Sequence, residues 1–245
     1  MNPVKSSPIM EIFLPAGSLP AIEKVSDGVK YLLVIPAYNE ERYIASLLNN
    51  LSAITKNIII VDDGSIDATY KIVKESGLPV IHQNHQGKGA ALKAGFKYAV
   101  ENAYDWVITM DGDGQHDWQD VYKFIEAISR KNADIIVGSR MADIAVMPAV
   151  RRITNRFMSR LLSKLAGCCL PDTQCGFRAI SSEVLKGIVL ETSHYDTESE
   201  LLIKAGRAGY NISSIPVKTI YNDSQSHINK FIDTIRFISL LWKAL

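Results

Sequence analysis

Two aspartates and an amide stand at alternate positions in Asp111-Gly112-Asp113-Gly114-Gln115, directly after the apolar run Trp106–Met110. Carboxylate and amide oxygens are hard ligands, and this set suits Mg²⁺ or Mn²⁺. At the end of an extended segment, side chains two apart point to the same side. Asp111, Asp113 and Gln115 are therefore expected to share one side. The glycines between them remove bulk and let a ligand's phosphates approach the backbone. Taken alone, the stretch serves equally well as an acidic turn, because Asp and Gly are turn formers. It is not a calcium loop: counted from Asp111, His116 replaces the glycine of the sixth position and Tyr122 the glutamate of the twelfth.

A site of this kind needs strands that end side by side. Tyr31–Ile35, Asn57–Val61, Leu78–His82, Trp106–Met110 and Ala133–Gly138 are short apolar runs, the pattern of strands buried on both faces. Pro36 reads as the stop of the first. Ile44, Leu47, Leu48 and Leu51 fall on one face of a helix over 40–54. Segments 67–75, 90–100 and 118–129 read as further helices, with Asp67 as an N-cap. This alternation predicts an α/β fold with a Rossmann-like, mainly parallel sheet and helices on both faces. Ligands bind such sheets beyond the carboxyl ends of the strands. Those ends carry Tyr38-Asn39-Glu40, Asp62-Asp63, Asp111-Gly112-Asp113 and Ser139-Arg140. Carboxylates gathered this densely call for a cation.

Composition narrows the class. With 245 residues, 47% hydrophobic and 22% charged, one large α/β domain is affordable. A formal net charge of +1 gives no electrostatic case for nucleic acid. Cys168, Cys169 and Cys175 lack CxxC spacing, so neither a disulfide framework nor a zinc site is expected, and a reducing compartment is the simplest reading. No stretch approaches the roughly 18 uninterrupted apolar residues of a membrane span, and the start lacks the sustained apolar region of a signal peptide. A cytoplasmic protein is expected, with contact to a membrane surface left open. Gly87-Lys88-Gly89 before a helix is a weak phosphate-loop signal; neither GxxxxGK[ST] nor GxGxxG occurs.

The second half is less regular. A helix over 149–165 is basic, with Arg151, Arg152, Arg156, Arg160 and Lys164; its ordinary reading is a solvated face. Leu170–Ile180 reads as a loop entering a short strand, Ser181–Gly187 as a capped helical turn, Tyr195–Ala208 as a helix ended by Gly209, and Ile212–Ile220 as an edge strand. Arg140 stands on the ligand edge, where it favours phosphate. Residues 1–28 read as an irregular arm, 29–225 as the domain, and 226–245 as an amphipathic helix. That helix either packs on the domain or lies on a membrane surface with Trp242 near the headgroups.

Five segments occur in order: VIPAYNE (34–40), VDDGSIDAT (61–69), QGKGAALKAGF (86–96), MDGDGQH (110–116) and DTQCGFRAIS (172–181). Together they resemble the family 2 glycosyltransferases with the GT-A fold, and among these the dolichol-phosphate mannose synthase type, which glycosylates polyprenyl phosphates. The resemblance implies that Pro36, Tyr38 and Glu40 wall the nucleotide base and ribose, and that Val61 and Asp63 occupy base-reading positions. It implies that Asp111, Gly112 and Asp113 bind nucleotide and metal, with Gln115 a further metal ligand. Arg140 then resembles a phosphate-binding arginine, and Arg152 the one that holds the lipid phosphate. Thr219 and Gln225 depart from the eukaryotic-type pattern, which has Arg and Lys in the loop after the last strand. GDP-mannose and a UDP-hexose both stay open as donors.

The implied activity is inverting transfer of a sugar from a nucleotide diphosphate sugar to a polyprenyl (dolichyl or undecaprenyl) phosphate, at the cytosolic membrane face. Mg²⁺ or Mn²⁺ would bridge the diphosphate, with Asp113 and Arg140 as the catalytic groups. A membrane-protein partner or a homo-oligomer is compatible with this. Two rivals stay open: a glycan hydroxyl as acceptor, with Asp196, Glu198 or Glu200 as base, and a non-catalytic nucleotide-binding module.

Overall fold

A computed structural model describes residues 10–13, 28–142 and 149–220. The strands are β1 (Met10–Phe13), β2 (Tyr31–Ala37), β3 (Ile58–Asp62), β4 (Val80–Gln83), β5 (Trp106–Thr109), β6 (Ile135–Ser139), β7 (Arg178–Ser181) and β8 (Ile212–Pro216). The helices are α1 (Ile44–Ser52), α2 (Thr69–Glu75), α3 (Lys88–Glu101), α4 (Val121–Ser129), α5 (Ala149–Ala166), α6 (Ser182–Gly187) and α7 (Thr197–Arg207). One sheet contains all eight strands, in the order β1-β4-β3-β2-β5-β7-β6-β8. β2 pairs in parallel with β3 and β5, β3 with β4, and β6 with β8. β7 is antiparallel to both of its neighbours, β5 and β6, and β1 is antiparallel to β4. All strands but β1 and β7 therefore run the same way, and the sheet is mainly parallel, as the alternation of apolar runs and helices implies.

Both faces are covered, because successive side chains of a strand point to opposite sides. In β2, Leu32 and Val34 join one apolar cluster with Ala91, Leu92 and Phe96 of α3 and Leu201 and Leu202 of α7. Leu33 and Ile35 join another with Leu47 and Leu48 of α1 and Phe124 and Ile128 of α4. Each such fully buried side chain contributes about 1.5–3 kcal/mol.

Pro36 does not stop β2, which continues to Ala37. The reason lies in which neighbour each backbone group faces. Leu33 N–H bonds to Asn57 and Ala37 C=O to Asp63, both on the β3 side, whereas Val34 C=O accepts from Met110 on the β5 side. Pro36, two residues beyond Val34, turns its missing donor toward β5, whose pairing with β2 has ended at Val34–Thr109. A strand proline is tolerated where no ladder partner faces it.

Other boundaries move for local reasons. α2 starts at Thr69 with Ala68 at its N-cap position. Asp67 lies outside the helix, its carboxylate accepting from Thr69 N–H at 2.9 Å and Glu41 N–H at 3.2 Å. A 3₁₀ turn over Trp118–Asp120, capped by the Asp117 side chain, precedes α4. Ser181 caps α6 through Val184 N–H. Gly209, at φ 82°, follows α7. β8 is an edge strand, as its alternation suggests. Within the N-terminal arm, Met10–Phe13 is regular and pairs with β4, a strand that would otherwise form an open edge. The rest of that arm and the amphipathic segment 226–245 lie outside the described residues. Among the described residues, no helix is long and apolar enough to cross a membrane.

Candidate active site

β2, β3, β5 and β6 point the same way, so their ends at Ala37, Asp62, Thr109 and Ser139 lie along one edge of the sheet. Asp111 follows β5 there. Its carboxylate meets Lys88 Nζ at 2.7 Å from one side and His116 Nε2 at 3.8 Å from another. Lys88, the first residue of α3, reaches Glu198 Oε2 of α7 at 2.9 Å as well. Burial alone would raise the Asp111 pKa, but Lys88 and His116 hold it well below the usual carboxylate range. Burial likewise opposes the Lys88 charge, and Asp111 and Glu198 overcome it. The loop before β7 closes the last side: a Cβ on Gly176 would fall 2.6 Å from Asp111 Oδ2. That loop is fixed to β5 by the Thr109 hydroxyl, which donates to Gly176 C=O at 2.8 Å.

Asp113 lies half-buried beyond Asp111, and one of its oxygens accepts from Gln115 N–H at 2.9 Å. Burial, then the neighbouring Asp111, pushes its pKa up. Glu40, fixed by a bond from its N–H to the Thr69 hydroxyl at 2.7 Å, is pushed up to about 8 by burial and by Asp113, Asp111 and Asp67. Glu40, Asp111 and Asp113 thus act on one another through space. Gly112 lies between them; a Cβ there would meet the Pro36 carbonyl and the Glu40 side chain.

The donor set fits a hard divalent cation shared with a ligand. Among the described residues, no three His, Cys, Asp or Glu side chains converge as a metal cage. Two carboxylates and an amide oxygen leave room for phosphate oxygens, which is how Mg²⁺ commonly binds beside diphosphates. Excess negative charge, expressed in the raised Glu40 and Asp113, is what such a cation would relieve.

Other expected residues lie apart from this group. Val61 is fully buried and Asp63 is 2% exposed. The Asp63 carboxylate accepts from Gln83 Nε2 at 2.6 Å, Gln86 N–H at 3.0 Å and Gly87 N–H at 2.7 Å, and lies 2.8 Å from His85 Nδ1. It therefore shapes the 84–87 loop that leads into α3. Tyr38 stacks on His85 of that loop at 4.1 Å. Pro36 is within β2.

Arg140 follows β6 and forms a two-pronged pair with Asp172, Nε to Oδ2 at 2.8 Å and an Nη to Oδ1 at 2.9 Å, while its N–H bonds to the same carboxylate. Burial disfavours the guanidinium charge, but Asp172 holds it in place. The pair uses two of the five donors of the fork. Arg152 lies half-buried early in α5; among the described residues, no bond joins it to Arg140 or the acidic group.

Lys88, Asp172 and Arg178 are the residues that motif reading left without a role. Arg178 is 2% exposed and donates to the carbonyls of Cys175, Thr173 and Glu198, so it frames the loop before β7. A signal existed for each: Lys88 sits in the Gly-Lys-Gly segment, Asp172 and Arg178 in the fifth motif. Of the three candidate bases, Glu200 accepts from Glu191 N–H and from the Thr192 N–H and hydroxyl, and pairs with Lys204 at 2.6 Å. Burial alone would raise its pKa, but Lys204 and these donors lower it. Glu198 is engaged with Lys88. Among the described residues, the buried Oδ1 of Asp196 has no hydrogen-bond partner.

The mainly parallel sheet and the acidic group beyond its strand ends define an α/β protein with a ligand edge, and comparison with known proteins identifies its family. The glycosyl transferase family 2 profile matches residues 32–189, and the chain belongs to that family. Similar proteins include the UDP-N-acetylglucosamine–dolichyl-phosphate N-acetylglucosaminyltransferase of Methanococcus voltae, 37% identical over 81% of this chain and 88% of that protein. The dolichyl-phosphate hexose transferase of Haloferax volcanii is 34% identical over 76% and 80%. The undecaprenyl-phosphate mannosyltransferase of Micrococcus luteus is 27% identical over 77% and 83%. Among solved structures, glucosyl-3-phosphoglycerate synthase of Mycobacterium tuberculosis, in complex with Mn²⁺, UDP and glucosyl-3-phosphoglycerate, superposes with a TM-score of 0.69 at 21% identity, covering 90% of this chain and 81% of that one. The fold is the GT-A fold.

Proposed function

We propose that this glycosyltransferase moves a sugar from a nucleotide diphosphate sugar, GDP-mannose or a UDP-hexose, to a polyprenyl phosphate, with inversion. The observation that carries the reading is a charge arrangement: an acidic group, Glu40, Asp111 and Asp113, shares one sheet edge with Arg140, which is held as a cation by Asp172. Two anionic substrates need both poles. The named relatives, which act on dolichyl and undecaprenyl phosphates, support the acceptor class. The Mn²⁺–UDP complex of the structural neighbour supports the metal.

In this reading Asp111, Asp113 and Gln115 would hold Mg²⁺ or Mn²⁺, whose charge would stabilise a departing diphosphate. Pro36, Tyr38, Glu40 and Gly112 line the nucleotide, with Val61 and Asp63 at the base-reading positions. Arg140 and Arg152 hold the acceptor phosphate. A phosphate oxygen attacks the anomeric carbon, and the bond from that carbon to the diphosphate oxygen breaks. No general base is required, because a monoester's second pKa is near ~6. The protein works at the cytosolic membrane face, in peripheral contact with the bilayer, alone, as a homo-oligomer or beside a membrane-protein partner.

A glycan hydroxyl acceptor is the second reading, favoured by the unpartnered Asp196 oxygen, the remaining candidate base. The test offers labelled UDP-glucose, UDP-N-acetylglucosamine and GDP-mannose, with Mn²⁺, to polyprenyl phosphate and to glycan acceptors. Chloroform-soluble label is the expected result. Label confined to glycan supports the second reading, and no transfer from any donor leaves only nucleotide binding.

A further inference from the structure

The Asp63 carboxylate is full. Among the described residues, four donors meet it: Gln83 Nε2 at 2.6 Å and Gln86 N–H at 3.0 Å on one oxygen, Gly87 N–H at 2.7 Å and His85 Nδ1 at 2.8 Å on the other. A carboxylate offers about four acceptor positions, so a further donor enters only where one of these leaves. Gln83 is buried, at 4% exposed. Gln86 and Gly87 donate from the backbone, and that backbone is wedged. A Cβ on Gly87 would fall 2.9 Å from the Ser193 carbonyl, and one on Gly64 2.7 Å from the His85 nitrogen. His85 is the donor that can leave: its side chain is 53% exposed and able to swing about its Cα–Cβ bond.

The His85 ring makes two contacts that belong together. Its face stacks on Tyr38, with centroids 4.1 Å apart and planes 24° from parallel. Its Nδ1 lies 2.8 Å from Asp63 Oδ2 and 3.1 Å from the Asp63 carbonyl. Both neighbours are acceptors, so Nδ1 carries the proton and donates. A flat heterocycle thus lays its face on Tyr38 and gives a ring N–H to Asp63. Uracil and guanine offer the same pair of features, a ring N–H and a face that stacks on aromatic side chains. The Tyr38 and His85 rings are already in van der Waals contact, so no base fits between them.

We infer that His85 is a stand-in for the donor's base: its imidazole occupies the base position against Tyr38 and Asp63, and a uracil or guanine base binds by displacing it. This deepens the proposed function, on which it rests for the roles of Tyr38 and Asp63. His85 then sets the affinity for the donor. Nucleotide meets only the fraction of molecules whose His85 has swung out, and apparent affinity falls by that fraction. Without nucleotide, the ring keeps Asp63 satisfied and Tyr38 covered.

Calorimetric titration of UDP and GDP, each with Mn²⁺, into the full chain and its His85→Ala and His85→Phe variants tests this, with Mn²⁺–pyrophosphate as the ligand that lacks a base. His85→Ala should bind both nucleotides about tenfold more tightly, the scale of releasing a stacked ring and an exposed charge-assisted hydrogen bond. His85→Phe keeps the stack and loses the N–H, so it should fall between the parent and His85→Ala. Pyrophosphate should bind all three alike. In the parent, the His85 ring-proton NMR signals, assigned by their absence from His85→Ala, should start upfield over the Tyr38 ring. They should move downfield on adding UDP or GDP and stay in place on adding pyrophosphate. Weaker nucleotide binding by His85→Ala, or His85 signals that keep their upfield position at saturation, overturns the inference, because the ring is then a wall of the base site and not its occupant. An equal gain for pyrophosphate overturns it too, because the effect then lies in the loop into α3. No nucleotide binding by the parent or either variant overturns both this and the proposed function. Displacement of His85 by nucleotide in a protein that transfers sugar to no acceptor supports the stand-in and counts against the proposed function alone.

Discussion

Lys88 Nζ lies 2.7 Å from Asp111 Oδ1, so the first residue of α3 holds the head of the acidic motif as an anion. The same ammonium holds Glu198 of α7 at 2.9 Å. Lys88→Met removes the shared cation and leaves two carboxylates facing each other. Breaking a buried pair of this kind costs about 3–5 kcal/mol. Urea unfolding should show that loss, and transfer should fall with it; unchanged stability would mean that Lys88 is not an essential partner of either acid.

Asp113→Asn keeps the shape of the motif and removes one negative charge from the proposed metal site. The parent is expected to gain thermal stability from Mn²⁺ together with UDP or GDP, and the variant to gain little. Sugar transfer should drop by at least about 100-fold, the scale of losing one electrostatic stabiliser of a leaving group. A variant with the parent's metal response would remove Asp113 from the metal site.

The two-pronged Arg140–Asp172 pair predicts that lysine will not substitute for Arg140. A point charge cannot keep both bonds to Asp172 and still face a phosphate. Arg140→Lys should raise KM for the acceptor phosphate by about tenfold, one lost charge-assisted hydrogen bond, with a smaller change in donor KM. A larger rise in donor KM than in acceptor KM would place Arg140 on the donor side.

Glu40 gives a pH signature. Its folded-state pKa is raised from the model-compound value of 4.5 to about 8, by burial and by Asp113 and Asp111. The folded protein therefore holds this proton more tightly than the unfolded chain. The stabilisation is complete below about 4.5 and is lost as pH rises toward about 8. Glu40→Gln keeps the neutral form throughout, so its stability relative to the parent should improve across that window. Denaturant midpoints across that window will show this, and parallel curves for the two proteins would refute it.

The sheet and its acidic edge were readable in the sequence because each strand is an uninterrupted apolar run and each run ends in polar residues. The apolar runs Ile58–Val61 and Val107–Ile108 admit no other economical burial. The direction of β7 was not readable. Arg178-Ala179-Ile180-Ser181 has the composition of any short strand, and its reversal is set by the chain that leads into it. Pairings between distant segments were equally hidden. Lys88 looked like part of a loose glycine loop because its two acids lie in the fourth motif and in α7. Asp63 was visible as an acid at a strand end, but its capture by Gln83, Gln86 and Gly87 depends on where the 84–87 loop folds back. Pro36 was read as a terminator because sequence shows the missing donor and not the side on which it is missing.

The reversed course of β7 has a consequence for how such a chain can change. Thr109 of β5 pairs with Arg178 of β7 in antiparallel register, so residues before Arg178 arrive opposite residues after Thr109, and Gly176 comes to rest against Asp111. Strands β2 to β6, with the acidic edge, are complete before Arg140; α5 and the loop to Arg178 come afterwards as one continuous insertion between two fixed strands. That stretch can lengthen, shorten or exchange its surface without altering the register of any earlier strand. Variation confined to that one interval of the gene leaves the acidic edge and the strands beneath it in place.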